Sequence, residues 1–153
     1  MLFLLFRLDD DRYALEAGRI VEIIPTVTVK RIPQAAAGIA GVIDYHGAPV
    51  PLVDLHLLSL GRPARQRLDT RIVIVRYPDA HGQDRLLGLL AERVTETVRR
   101  DPADFADPGV RSKEAPYLGP VASDEQGLIQ WVALGTLLPP SVRDQLFDQP
   151  AAA

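Results

Sequence analysis

The sequence lacks several things that would point to particular kinds of protein. It has no cysteine, which excludes disulfide scaffolds, thiol nucleophiles and cysteine zinc sites. Its longest apolar runs, Met1 to Phe6 and Leu86 to Ala91, are strand-sized and far shorter than the roughly 20 residues of a membrane-spanning helix. It has no phosphate-binding glycine-rich loop and no serine in a nucleophile elbow. These absences leave a folded protein without an evident reaction centre.

The charge is modest and unevenly distributed. The 17 basic and 20 acidic side chains give a formal net charge of −3, and residues 101–153 are clearly acidic. A dense basic face for nucleic acid is therefore not indicated. The apolar opening Met1 to Phe6 lacks a basic leader and is too short for a signal peptide. We therefore expect an unprocessed cytoplasmic protein.

Chain-breaking residues are frequent, with 11 glycines and 13 prolines among 153 residues. This frequency favours short strands joined by turns over long helices. Apolar and β-branched segments predict strands at 2–8, 12–16, 19–24, 26–32, 70–77, 86–91, 94–99, 118–122 and 128–132. Short helices are expected at 55–60, 134–138 and 141–147. The sequence therefore predicts an all-β protein with a few short helices.

The most informative segment is Gly41 to Leu55. His46-Gly47 lies between two β-like arms and predicts a tight hairpin, because glycine readily adopts the positive φ such a turn requires. Asp54 is placed to cap a short helix that Gly61 would end. A similar but weaker pattern surrounds Gly127. Two hairpin-plus-helix units, one in each half of the chain, suggest two small β-barrels.

These segments together resemble the CheW family of chemotaxis coupling proteins. The resemblance begins with the hairpin from Leu4 to Leu15 and the strand Ile20 to Ile23. Its most specific part is a family pattern that runs Gly-Val-Ile-Asn-Leu-Arg-Gly and continues to Pro, Asp and Leu. Gly41 to Leu55 matches this pattern except at its Asn-Leu-Arg centre, where this chain has Asp44-Tyr45-His46. Residues 88–94 resemble a strand of the family's second half, so the likeness covers roughly residues 2–147.

The resemblance implies a fold and a domain organisation. The expected fold is two five-stranded, SH3-like β-barrel lobes that share a hydrophobic core, with short helices. Residues 1–150 would form a single domain with lobes at 1–61 and 68–150 and a linker at 62–67. The sequence leaves open which lobe takes the first strand.

The resemblance also implies a non-catalytic role without a cofactor. A CheW-like protein would join the cytoplasmic domain of a methyl-accepting chemoreceptor to the regulatory domain of a CheA-type histidine kinase. It would be cytoplasmic and associated with membrane receptor arrays, without direct membrane insertion. No nucleic-acid partner is expected. The alternative from another class is a small β-barrel module that binds nucleic acid or carbohydrate.

Five residues match family positions that contact partner proteins: Ile20, Glu22, Gly41, His46 and Gly47. Histidine in place of the family arginine offers fewer donors and titrates near neutral pH, which suggests a divergent paralogue in a dedicated, non-flagellar pathway such as surface sensing or pilus control. Glu22 has two readings. It lies among isoleucines on one exposed strand face, or it lies at the rim while Ile20 and Ile24 pack inward.

Two further clusters have both an ordinary and a functional reading. The pairs Asp44/His46 and Asp54/His56 could bind a metal, but a helix cap and a turn explain Asp54 and His46 better, so no metal site is predicted. The arginines at 62, 65, 67 and 71 could bind an acidic partner, although a solvated linker is the favoured interpretation. An enzyme with the Asp/His pairs as its site is the third hypothesis. The adaptor is favoured over both this enzyme and the nucleic-acid- or carbohydrate-binding module.

Overall fold

A computed structural model describes residues 1–148. Nine strands dominate these residues, and none of their helices is both long and apolar enough to cross a membrane. The strands are β1 (Leu2–Leu8), β2 (Asp11–Glu16), β3 (Ile20–Pro25), β4 (Ile39–Tyr45), β5 (Ala48–Asp54), β6 (Arg71–Pro78), β7 (Asp84–Arg99), β8 (Leu118–Asp124) and β9 (Gly127–Val132). The α-helices are α1 (Leu55–Leu60) and α2 (Pro140–Leu146), and 3₁₀ turns form at 17–19, 102–104 and 134–136.

The strands form two groups of five that share β7. Sheet I runs in the order β3, β6, first half of β7, β5, β4. Sheet II runs in the order second half of β7, β1, β2, β9, β8. Two of these pairings are parallel, β5 with β7 and β2 with β9. The all-β prediction is confirmed, while the hydrogen-bonded path stays open and does not close into a ring.

The long strand β7 passes from one sheet to the other through an irregularity at Arg93. Arg93 has a φ of 53°, and the pairing with β1 changes register between Leu5 and Arg7. Extra residues on one strand bend it and increase its twist. The sequence predicted two separate strands, 86–91 and 94–99, with a bulge at Gly88. Gly88 instead lies in regular pairing with β6, and the irregularity follows five residues later.

Strand pairing divides the chain differently from the expected lobes 1–61 and 68–150. The first strand, whose lobe was left open, pairs with β2 and with the second half of β7 in sheet II. β6 and the first half of β7 pair with β3 and β5 in sheet I. The expected linker 62–67 therefore lies between two elements of sheet I. Apolar patterning shows where strands form but not which strands pair.

Each sheet curls around a small apolar cluster, and a larger one lies between the sheets. Ile43, Leu52 and Ile74 are central to the cluster of sheet I. In sheet II the rings of Phe3 and Trp131 meet edge to face, with centroids 4.9 Å apart. The shared cluster takes side chains from both sheets, and its largest fully buried member is Tyr77. The Tyr77 hydroxyl accepts a hydrogen bond from the Leu138 amide at 2.9 Å, so the C-terminal turns are fixed to this core.

Candidate functional site

The β4–β5 hairpin ends in the two-residue turn that the sequence predicted. His46 and Gly47 have φ values of 52° and 85°, and positive values at both positions are typical of a type I′ turn. The Gly47 amide donates to Asp44 Oδ1 at 2.8 Å, which fixes the turn. The His46 side chain is 75% exposed, so this tip presents an imidazole to the surroundings.

Strand β3 is an exposed edge of sheet I, and among the nine described strands it pairs with β6 alone. Its register shifts between Ile20 and Glu22, which places these two residues on opposite faces: Ile20 pairs with Val75 and Glu22 with Ile74. Ile20 is partly buried against the shared core, and Glu22 is exposed. Of the two readings of Glu22, the structure therefore gives the rim position, and the bulge is the physical reason.

Glu22 meets the hairpin tip. The Tyr45 hydroxyl donates to Glu22 Oε1 at 2.6 Å, and His46 Nε2 lies 3.4 Å from the same oxygen. The hydrogen bonds from Tyr45 and then His46 lower the pKa of Glu22. β3 and β4 are the two outer strands of sheet I, so this group of three side chains, which we call the clasp, joins the two ends of the sheet.

Sequence reasoning identified Glu22 and His46 but missed Tyr45. The signal was the replacement of the family's Asn-Leu-Arg by Asp44-Tyr45-His46, of which only the histidine was weighed. A hydroxyl at position 45 matters only because the sheet curls until β3 and β4 approach each other. That approach depends on pairings between distant parts of the chain.

Gly41 has a different position from the other four predicted residues. It is buried, and its φ is 147°. A Cβ there would overlap the carbonyl oxygen of Lys30. Lys30 and Val42 exchange two backbone hydrogen bonds of 2.9 Å, which hold the segment after β3 against β4. Gly41 thus permits this close approach, while Ile20, Glu22, His46 and Gly47 lie along β3 and the hairpin tip.

Apolar side chains are exposed beside the clasp. Val21 and Ile23 on β3 are 38% and 41% exposed, and Val27 and Ile32 on the following segment are exposed to a similar degree. An unpaired strand edge with exposed apolar side chains is a template for contact with another protein. We define the contact surface as β3, these apolar side chains and the hairpin tip.

The two Asp/His pairs do not form a metal site. Asp54 Oδ1 accepts hydrogen bonds from the amides of His56 and Leu57 at 2.9 and 3.2 Å, which confirms its predicted role as the cap of α1. His56 is fully buried, and its Nε2 accepts a hydrogen bond from the Glu92 amide at 3.0 Å. Within residues 1–148, no three His, Cys, Asp or Glu side chains are grouped so that they could hold a metal ion.

The arginine segment is not a solvated linker. Arg62 Nη1 donates to Glu92 Oε2 at 3.1 Å, Arg67 Nε lies 3.2 Å from Glu92 Oε1, and the Arg65 amide donates to Glu92 Oε2 at 3.1 Å. Burial alone would raise the pKa of Glu92, but the hydrogen bonds from the Arg65 amide and from the Arg62 side chain help to lower it overall. Arg71 instead donates to the Thr70 carbonyl at 2.9 Å. The segment folds around one buried carboxylate, which no local pattern in the sequence reveals.

The fold and this geometry define a β-sheet domain whose exposed edge suits contact with other proteins. The sequence matches the CheW-like domain family over residues 2–140. It is 27% identical over 141 residues to a chemotaxis protein CheW of Rhizobium meliloti, covering 91% of this chain and 88% of that protein. A chemotaxis protein CheW of Helicobacter pylori is 30% identical over 103 residues, which cover 67% of this chain and 59% of that protein.

A solved structure shares the fold. The crystal structure of the scaffolding protein TtCheW from Thermoanaerobacter tengcongensis superposes with a TM-score of 0.77, covering 92% of this chain and 89% of that one at 22% sequence identity. The chain belongs to the CheW-like domain family. Members of this family are non-catalytic scaffold proteins, which confirms the prediction that the protein is not an enzyme.

Proposed function

We propose that this protein is an adaptor that joins the cytoplasmic tip of a methyl-accepting chemoreceptor to the regulatory domain of a CheA-type histidine kinase. Its relatives carry the name of a chemotaxis protein, and its structural neighbour is described as a scaffolding protein. The single observation that carries the proposal is the contact surface, an unpaired apolar strand edge next to an exposed polar tip. The protein works in the cytoplasm, at receptor arrays.

The mechanism is simultaneous binding. A scaffold that holds two partners raises their effective concentration for each other without transforming either one. Exposed Val21 and Ile23 supply apolar area at the edge, and Glu22, His46 and Gly47 supply polar contacts beside it. Apolar area gives most of the affinity in such contacts, while the polar groups fix orientation. Ile20 contributes indirectly to binding. It packs against the shared core and supports the bulge that exposes Glu22.

The test is retention of a receptor cytoplasmic fragment and of CheA on the immobilised full chain. Ile23→Lys places a charge on the exposed edge and should reduce retention of at least one partner about tenfold. Leu128→Lys is the matched control, because Leu128 is an exposed apolar residue at the start of β9 in sheet II. Both variants should melt like the wild type. Wild-type protein that retains neither partner would overturn the adaptor proposal.

We also propose that the partner is a dedicated receptor of a non-flagellar pathway, such as one for surface sensing or pilus control. The support is His46 in place of the family arginine. The hydrogen bond from Tyr45 to Glu22 is shorter than the contact between His46 and Glu22. A guanidinium at this tip, with five donors and a fixed charge, would select a different partner group from an imidazole with two ring nitrogens. His46→Arg should therefore change which receptor fragments are retained. Unchanged receptor choice would contradict the dedicated pathway while leaving the adaptor role standing.

A further inference from the structure

A cleft of about 360 Å³ opens where the two sheets meet, away from the contact surface. Charged side chains line it: five arginines and three carboxylates. They come from the end of β1 and the β1–β2 turn, the segment after α1 and the irregularity in β7. The cleft is therefore built from three distant parts of the chain, and its lining carries a net positive charge although the whole protein is acidic.

Two of the five arginines are already paired. Arg62 bonds both Asp9 and Glu92, and Arg67 bonds Glu92. These contacts neutralise two of the three carboxylates of the cleft. The third, Asp10, forms no ion pair with any side chain of residues 1–148.

The other three arginines have unused guanidinium groups. Within residues 1–148, Arg7, Arg65 and Arg93 form no ion pair, and Arg7 has only a 3.5 Å contact with the Asp10 carbonyl. Three cations thus face one carboxylate. Guanidinium groups bind phosphate oxygens through paired N–H donors with matching geometry. This arrangement suits an anion that carries several oxygens and more than one negative charge.

The backbone at Arg93 is a second, independent sign. Its φ of 53° lies in the left-handed region, which glycine adopts without steric strain but which costs conformational energy for arginine. The strand must bend here to pass between the sheets, but the bend does not require a charged side chain. Arginine at this position adds a cation to the cleft lining at a cost in backbone strain.

We infer that this cleft binds a phosphate-bearing anion through Arg7, Arg65 and Arg93. The ligand class is a phosphoryl group with at least two negative charges, either free in solution or carried by a nucleotide. Arg62 and Arg67 stay with Asp9 and Glu92 and hold the cleft open. The site does not depend on the proposed adaptor role, since it shares no residue with the contact surface.

The test is an NMR titration of the full chain with inorganic pyrophosphate at low salt. Amide shifts should concentrate at the β1–β2 turn, the segment 62–67 and residues 92–94. Arg93→Gly is the decisive variant, because glycine accepts the positive φ and the fold should be kept or stabilised while the guanidinium is lost. Arg93→Gly and Arg65→Gln should each weaken binding about tenfold, and Arg31→Gln, an exposed arginine outside the cleft, should not.

Parallel titrations with ADP and citrate identify the ligand. ADP shifts confined to the same amides would support recognition of the phosphoryl groups alone. Citrate that binds as tightly as pyrophosphate would contradict the phosphate class. Shifts spread over basic residues of the whole surface, or undiminished binding by Arg93→Gly, would overturn the site. Partner retention by Arg93→Gly should equal that of wild type, so a failed adaptor proposal and a failed anion site are distinguishable.

Discussion

The two sheets of this protein join their outer strands by different means. In sheet II, Asp124 at the end of β8 accepts from Arg100, just after β7, at 3.3 Å and from Arg12 of β2 at 2.9 Å. In sheet I, the clasp of Glu22, Tyr45 and His46 joins the outer strands β3 and β4 on an exposed surface. The Arg12 side chain is only 8% exposed, whereas that of His46 is 75% exposed.

The difference separates stability from recognition. Ion pairs withdrawn from water are costly to break on one side, because the remaining charge stays poorly solvated. Exposed pairs contribute little to stability, and solvent readily replaces them. Sheet II therefore uses its charged contacts to hold the fold together. Sheet I keeps exchangeable contacts at the edge where partners are proposed to bind.

The largest effect is expected from Arg12→Ala in sheet II. The change leaves the partly buried Asp124 with only the Gln126 amide and a longer contact to Arg100 among residues 1–148, and should lower the free energy of unfolding by about 3 kcal/mol. Urea denaturation measures it. Arg111→Ala is the control, since the Arg111–Asp107 pair is fully at the surface. Equal stabilities of the two variants would remove the proposed distinction between the sheets.

Gly41→Ala should be the most disruptive change in sheet I. The added Cβ would overlap the Lys30 carbonyl and force a positive φ on alanine, costing about 2 kcal/mol. Gly135→Ala is the control, because a Cβ there meets no atom of residues 1–148 within 4 Å. Thermal melts of both variants give the comparison. A melting midpoint of Gly41→Ala equal to that of Gly135→Ala would show that the close approach of 26–32 to β4 is unimportant.

A smaller, pH-dependent effect should come from Asp124. The hydrogen bond from Arg12 is the main reason that the pKa of Asp124 lies well below its usual range. A depressed folded-state pKa contributes stability above the unfolded pKa, which is lost as the pH falls below about 4. Asp124→Asn should therefore be less stable than wild type at pH 7, with the difference shrinking in acid. A difference that stays constant from pH 7 to acid would contradict this linkage.

The local features of the site could be read from the sequence. His46-Gly47 requires positive φ at two neighbouring residues, and Asp54 followed by leucines is a helix cap, so both depend only on adjacent residues. Pairings over long distances could not be read in this way. The parallel contact of β2 with β9 joins residues more than a hundred positions apart, and nothing in either strand specifies the other.

The same limit explains the missed side chains. Tyr45 becomes part of the clasp only when sheet I brings β3 and β4 together. Glu92 looks like one charge in a strand until the arginine segment folds over it. The face of Glu22 depends on a bulge of one residue, and the alternation of apolar and polar residues in β3 does not reveal that bulge.

The most direct measurement compares Glu22→Gln and Asp124→Asn in parallel for melting midpoint and partner retention. If sheet I serves recognition and sheet II stability, Glu22→Gln melts like wild type but retains less receptor fragment or CheA. Asp124→Asn shows the reverse, with a lower midpoint and undiminished retention at a temperature where it is folded. A Glu22→Gln protein that loses stability but keeps both partners would contradict the account.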